Sequence, residues 1–213
     1  MTPQPDPGRR IVVVVPVGTL EDAKSRLGAT LDAEERHDLA ARLARRTIEA
    51  AVATPGVAET LVVTPDDEVR DIALAAGARP LRQSGHGLNE GLDEARADAI
   101  AGDASAIVIV PIDLPAISPA ALRAVVDAVD GDGEPRVVIV PDRHGRGTNI
   151  LALAPPDVIH LCFGGDSRSA HARGAQQAGA DLVVLDGPLR IDLDTPDDLL
   201  LAERTSPEIV RAH

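Results

Sequence analysis

Five short runs of branched apolar residues constrain this chain more than any other feature: Ile11 to Val15, Leu61 to Thr64, Ala106 to Val110, Val137 to Val140 and Leu182 to Leu185. A strand with one face in water alternates apolar and polar side chains. An unbroken apolar run needs cover on both faces, as a parallel strand between two helical layers has. Helical patterns lie between the runs. The segment from Asp32 to Ala53 opens with Asp32, carries Glu35 at capping-box spacing, and then places Leu39, Leu43, Ile48 and Val52 near helical spacing. Further helices are expected from Asp67 to Ala76, from Asn89 to Ala101, and from Ser118, where Pro119 takes the first helical position. Strand and helix alternate through residue 140, which predicts an α/β fold with a doubly wound, mostly parallel sheet. Sheets of this kind bind ligands at the carboxyl ends of their strands.

After residue 141 the texture changes. Gly145, Gly147, Gly164 and Gly165 break up shorter elements, and a last strand is expected to end in Ile191-Asp192-Leu193-Asp194 before a helix that begins near Thr195 and Pro196. This part reads as an elaboration that covers the site. At 213 residues the chain suits one domain, placed over residues 10–205, with a disordered N-terminal tail over 1–9 and a C-terminal tail over 206–213. The first nine residues carry three prolines and lack the apolar stretch of a secretory signal, and no run approaches the roughly 20 apolar residues of a spanning helix. A soluble, cytoplasmic protein is therefore expected. The single cysteine, Cys162, excludes an intrachain disulfide and a cysteine-based metal cluster.

The formal net charge of -13 argues against a nucleic-acid partner, because phosphate backbones are held by surplus Lys and Arg. Anionic ligands would need local cations or a bound metal. Phe163 is the only aromatic residue, so stacking platforms for a sugar or a base are nearly absent, and Lys24 is the only lysine. Lys24 lies in the loop after the first strand, in Ala23-Lys24-Ser25-Arg26-Leu27. Two cations and a hydroxyl there make a plausible triphosphate cradle, although no Gly-Lys-Ser or Gly-Lys-Thr of a P-loop is present. A solvated charged loop is the alternative.

Three carboxylates are candidates for a divalent metal. Asp113, in Pro111-Ile112-Asp113-Leu114-Pro115, stands just past a central strand, where it could hold Mg2+ or simply make a turn. Asp192 and Asp194 are two apart on an expected strand and so share a face, where a divalent cation would offset their repulsion. Asp194 could equally cap the helix that follows; Asp192 has no such alternative. Two further loops suit an anion. In Phe163-Gly164-Gly165-Asp166-Ser167, glycines precede a helical stretch, and Ser167 adds a hydroxyl. In Asp142-Arg143-His144-Gly145-Arg146-Gly147-Thr148-Asn149, two arginines suit a phosphate or carboxylate, with a plain surface turn as the alternative. None of the six histidines forms a recognisable nucleophilic constellation. An ionised phosphate monoester attacking another phosphate needs no general base.

At these residues the sequence resembles the 2-phospho-L-lactate and phosphoenolpyruvate guanylyltransferases of coenzyme F-420 biosynthesis. The resemblance is carried by Ala23-Lys24-Ser25-Arg26-Leu27, by Asp142-Arg143-His144-Gly145 with Gly147-Thr148-Asn149, by Phe163-Gly164 with Ser167 and His171, and by Asp192-Leu193-Asp194-Thr195-Pro196. It implies a nucleotide-diphospho-sugar-transferase-like, Rossmann-like fold, with GTP as donor, Mg2+ as cofactor and pyrophosphate released. On the same resemblance Thr148, Gly164 and Ser167 would hold the phosphoacid, Asp113, Asp192 and Asp194 would bind Mg2+, and Lys24 and Arg26 would act on the triphosphate with Ser25 nearby. The chain departs from the family pattern at Gly18, where a lysine is common, at Cys162, where an arginine is common, and at Arg168, where a small or apolar residue is usual. Phosphoenolpyruvate is the preferred acceptor, with 2-phospho-L-lactate and 3-phosphoglycerate as alternatives, and a homodimer is compatible with the sequence.

Two other readings compete. A sugar nucleotidyltransferase or glycosyltransferase would also show an Asp-x-Asp pair, but the scarcity of aromatics speaks against a sugar acceptor. A non-catalytic nucleotide-binding protein would have little use for three carboxylates in metal-like positions. With no ring pair to sandwich guanine, the base would be read by polar groups, for which Gln83, Ser84 and Asn89 are candidates.

Overall fold

The computed structural model describes residues 9–205 except Asp22 and Asp132, without the side chains of 203–205. The expected tails thus lie outside the described residues, apart from Arg9. Seven strands form one mixed sheet: β1 (Ile11–Pro16), β2 (Val57–Thr64), β3 (Arg79–Arg82), β4 (Ala106–Ile109), β5 (Arg136–Pro141), β6 (Thr148–Ala154) and β7 (Asp181–Val184), in the order β3-β2-β1-β4-β6-β5-β7. Neighbours run parallel except at β6, which is antiparallel to both β4 and β5.

The helices are α1 (Ala33–Val52), α2 (Asp67–Ala75), α3 (Leu88–Ala101), α4 (Pro119–Val129), α5 (Ser167–Ala178) and α6 (Pro196–Thr205). Alternation along β1 divides the core. Ile11, Val13 and Val15 pack with Ala40, Ala44 and Ile48 of α1, Val69 and Ile72 of α2, and Leu122, Val125 and Val126 of α4. Val12 and Val14 face the other way, onto Leu92, Ala95 and Ala99 of α3 and Ala175 of α5. Both faces are covered, which is why β1 carries no polar residue; a fully buried Val or Leu contributes roughly 1.5–3 kcal/mol. The expected caps are present. Asp32 and Glu35 form a reciprocal capping box on α1, and the Ser118 hydroxyl accepts from the Ala121 N–H ahead of Pro119.

Three expectations are corrected. The run from Leu182 to Leu185 is not covered on both faces: it enters the edge strand β7, where Leu182 and Val184 are exposed. Residues 191–194 form no strand: they run as irregular chain beyond the sheet, tied by the Leu193 N–H to the Asp113 carbonyl at 2.8 Å. Leu193 is instead held by a small separate core with Leu27, Leu39, Leu43 and Leu199. Burial of Leu193 between two polar neighbours gives a strand-like alternation without any ladder to join. The polar stretch 142–149 also ends differently than a loop would, because Thr148 and Asn149 open β6, whose residues from Thr148 to Leu153 are all buried. β3 carries no apolar run. It is an edge strand of Arg79, Pro80, Leu81 and Arg82, residue types that protect an edge from further pairing. Among the described residues no helix is long and apolar enough to cross a membrane.

Candidate active site

The topology brings five connecting segments to one edge of the sheet. The parallel strands end there, with the segments 17–27, 83–88, 110–117, 142–147 and 185–195 following β1, β3, β4, β5 and β7. Because β6 is antiparallel, Thr148 at its start lies at this same edge. The reversed strand therefore supplies a site residue from its amino end.

The first half of the site is built from charge. Leu20 and Leu27 anchor the first loop in the core, and the Leu20 N–H donates to the carboxylate of Asp66, the N-cap of α2, at 2.9 Å. Between these anchors Lys24 adopts a left-handed backbone (φ 54, ψ 32), uncommon for a residue with a side chain. Its side chain turns inward and is only 7% exposed. The ammonium donates to the Leu193 carbonyl at 2.7 Å and to Asp194 at 3.2 Å, and lies 3.5 Å from Asp113. Arg26 stands 3.7 Å from Asp194 and is 77% exposed, and Ser25 is also exposed. The lysine, Arg26 and two of the three expected metal ligands thus form one cluster.

Asp192 completes the cluster electrostatically. Burial pushes its carboxyl above the usual carboxylate range, and the charges of Asp113, Asp194 and Asp198 push it further. Burial likewise raises Asp113; Lys24 opposes that shift and Asp194 adds to it. Among the described residues no three such side chains are gathered closely enough to close a metal site by themselves. The helix cap is also settled. The Thr195 N–H and hydroxyl donate to Asp198 at 2.8 and 2.7 Å, so Thr195 and Asp198 start α6 and the Asp194 carboxylate is left to Lys24 and Arg26. Burial works against the Asp198 carboxylate, yet these bonds and Arg143 hold it below its ordinary range.

The second half is neutral and mostly buried. The Ser167 hydroxyl accepts from the Thr148 N–H at 2.9 Å, and the Thr148 hydroxyl lies 3.1 Å from Nδ1 of His171. Nε2 of His171 accepts from the Cys162 N–H at 3.1 Å, and the Phe163 ring meets the imidazole edge-on, with centroids 5.0 Å apart. His171 is fully buried, and burial lowers its pKa to about 4. Ser167 and His171 stand four apart on α5 and so share a helix face. Gly164 has φ +149, a conformation that a side chain would strain. Next to Thr148 in the chain, Asp142 accepts from the N–H groups of Arg146 and Gly147, both at 2.9 Å, and closes the loop 142–147.

The remaining expected residues divide. Asn89 lies against the Phe163 segment: its carboxamide donates to the Phe163 carbonyl at 3.0 Å and accepts from the Phe163 N–H at 2.9 Å. Reading a base with that amide would require both bonds to open. Gln83 donates to the carbonyls of Gly85 and Gly87, and the Ser84 hydroxyl donates to Glu94, so both shape the loop before α3. A Cβ at Gly18 would meet nothing within 4 Å, so the backbone there leaves room for a side chain to start. Arg168 donates to the Gly145 carbonyl at 3.0 Å and ties α5 to the loop 142–147. Sequence reasoning gave His171 no role and missed Asp198. The available signals were the Ser167/His171 spacing and the Thr195-x-x-Asp198 start of α6.

Charge-compensating groups on one side of a strand edge, and hydroxyl donors without charge on the other, define a nucleotidyltransferase-type group-transfer enzyme. Comparison with known proteins narrows this: the chain belongs to the family described as guanylyl transferase CofC like, which matches residues 11–203. It is 41% identical over 194 residues to the phosphoenolpyruvate guanylyltransferase of Rubrobacter xylanophilus, covering 91% of this chain and 93% of that protein. Among solved structures, a Desulfovibrio desulfuricans protein provisionally described as a nucleotide-diphospho-sugar transferase superposes with a TM-score of 0.74 at 17% identity, covering 92% of this chain and 87% of that one. Glucosyl-3-phosphoglycerate synthase of Mycobacterium tuberculosis, solved with Mn2+, UDP and glucosyl-3-phosphoglycerate, superposes with a TM-score of 0.61 at 18% identity, covering 95% and 79%. At these identities the structures attest the fold.

Proposed function

We propose that this chain transfers GMP from GTP to phosphoenolpyruvate, releasing pyrophosphate and forming enolpyruvoyl-2-diphospho-5'-guanosine, an intermediate of coenzyme F-420 biosynthesis, in the cytoplasm. One observation carries the reading: two buried hydroxyls, those of Thr148 and Ser167, stand at the same sheet edge as a lysine held among carboxylates. In the reaction an oxygen of the acceptor's phosphate attacks the α-phosphorus of GTP. A phosphoanhydride bond forms as the bond to the β-phosphate's bridging oxygen breaks, and pyrophosphate leaves with the electron pair. No proton is moved, so no general base is required.

The residues divide this work. Lys24 and Arg26, with Ser25, face the triphosphate and offset the charge that grows on the leaving pyrophosphate. Thr148 and Ser167 orient the acceptor by donating to its phosphate or carboxylate, and Gly164 leaves room for its approach. Asn89, at the start of α3, supports the acceptor half by clasping the Phe163 backbone. Asp113, Asp192 and Asp194 offer the hard oxygen donors that suit Mg2+, which commonly takes one or two carboxylates and completes its shell with substrate phosphates and water. The donor set fits on those terms: Asp192 is pressed only by like charges, while Lys24 already compensates Asp113 and Asp194. Bound there, Mg2+ would neutralise phosphate oxygens and align the triphosphate. Residues 10–205 are proposed to act as one unit, and a homodimer is compatible with it.

Incubating the protein with GTP, Mg2+ and, separately, phosphoenolpyruvate, 2-phospho-L-lactate and 3-phosphoglycerate tests the reading through pyrophosphate release. Fastest release with phosphoenolpyruvate is expected. Release with a sugar phosphate but with none of these acids would point to a sugar nucleotidyltransferase, and the absence of release with any acceptor would leave a binding protein.

A further inference from the structure

We infer that His171 is a positioning residue that fixes the direction of the Thr148 hydroxyl, leaving its O–H to donate to an anionic group of the acceptor. The inference rests on the acceptor site proposed above. A neutral imidazole has one N–H donor and one acceptor nitrogen. The Cys162 backbone N–H can only donate, and it points at Nε2 from 3.1 Å, so Nε2 carries no proton and Nδ1 must. Nδ1–H then donates to the Thr148 oxygen 3.1 Å away, and that oxygen is an acceptor toward the histidine.

Its own hydrogen has to point elsewhere. Among the described residues neither the Thr148 O–H nor the Ser167 O–H has a protein acceptor, since the Ser167 oxygen in turn accepts from the Thr148 N–H. Both hydroxyls are thus polarised the same way: protein donors on the inside, free donors on the outside. Hydroxyls wired like this favour a phosphate or carboxylate, which can only accept. The imidazole can do this only while neutral, and its complete burial, which lowers its pKa to about 4, keeps it so at neutral pH. Phe163 packs edge-on against the ring, and Asn89 clasps the Phe163 backbone, so the imidazole plane is fixed as well as its protonation. Without the histidine, the Thr148 O–H could turn inward and meet the ligand with lone pairs.

The test separates donation by Nδ1 from packing. In His171→Asn the side-chain amide stands near the place of Nδ1 and can still donate to Thr148; in His171→Gln it stands near the place of Nε2 and cannot. The acceptor's KM is expected to rise about tenfold or more in His171→Gln, the loss of one hydrogen bond to a charged group, and to be largely restored in His171→Asn, with kcat and the KM for GTP little changed in both. In the Thr148→Val background His171→Gln should add no further rise. Nitrogen-detected NMR of the wild-type imidazole should show a protonated Nδ1 and a bare Nε2, which remains decisive if a variant folds poorly. An imidazole protonated at Nε2, or equal acceptor KM increases in both variants, would overturn the inference. If Thr148→Val itself left the acceptor's KM unchanged while NMR showed protonated Nδ1, the acceptor site would be misplaced and the hydrogen-bond wiring would stand.

Discussion

The two halves of the site meet at one sheet edge and are stabilised by different physics. Around Thr148, Ser167 and His171 every internal hydrogen bond is neutral and the groups are nearly closed to solvent, so this half is in place before any ligand arrives. Around Lys24 the groups are ions: an inward-turned ammonium shared by Asp194 and Asp113, an exposed Arg26, and Asp192 pressed by three like charges. Such a half is held by charges that a triphosphate and its metal would redistribute. The comparison teaches where each substrate's cost falls. On the proposed assignment an acid would enter a half already in place, whereas a nucleotide in the ionic half would exchange ion pairs.

The largest effects are expected in the ionic half. Asp192→Asn removes a carboxylate with no capping or pairing role, and turnover should fall about a hundredfold or more, as when a group that stabilises a charged transition state is lost. Steady-state pyrophosphate release checks this, and wild-type turnover would break the assignment. In the neutral half, Thr148→Val or Ser167→Ala removes one hydroxyl donor to an anion, worth roughly 1.5–3 kcal/mol, so the acceptor's KM should rise about ten- to hundredfold with the KM for GTP unchanged. A change confined to GTP would exchange the two halves.

Smaller effects sharpen the boundary. Asn89→Ala loses both bonds to Phe163 and is expected to raise the acceptor's KM by a few fold, with the preference for GTP over ATP retained. If kinetics with both nucleotides showed that preference lost and acceptor KM unchanged, Asn89 would belong to the base. The smallest effect concerns stability. A carboxyl raised in the folded state favours folding while it is protonated, at pH below the ordinary carboxylate range, and that contribution is lost as pH rises through the raised value. Metal-free Asp192→Asn should therefore melt slightly above wild type near neutral pH, and the gap should close in acid. Thermal melts at both pH values measure it, and added Mg2+ should stabilise the wild type more than the variant.

The two halves also differed in how far they could be read from sequence. Apolar runs such as Ile11 to Val15, and the cap signals at Asp32 and Ser118, depend on neighbours along the chain, so they exposed the parallel core and its carboxyl edge. Lys24 and Asp113 were legible as loop residues just past strands. The strand expected at 191–194 was not there because apolar-polar alternation reports one buried side, and Leu193 is buried by helices and a loop with no neighbouring strand. β6 and the wiring of His171 depend on partners distant in sequence, Cys162 and Thr148 among them, which no local pattern specifies. Asn89 could be named as a polar group near a strand end. That it would face Phe163 across 74 residues could not.

Whether one edge carries a nucleotide half and an acceptor half is decided by pyrophosphate release with GTP and phosphoenolpyruvate varied in turn. The enzymes to compare are wild type, Lys24→Ala and Thr148→Val, all with Mg2+ present. Release by the wild type should require both substrates and prefer GTP to ATP. The defect should be confined to the GTP dependence or to turnover in Lys24→Ala, and to the phosphoenolpyruvate dependence in Thr148→Val. Equal use of ATP and GTP by the wild type, or the same pattern of defects in both variants, would contradict that division of the edge.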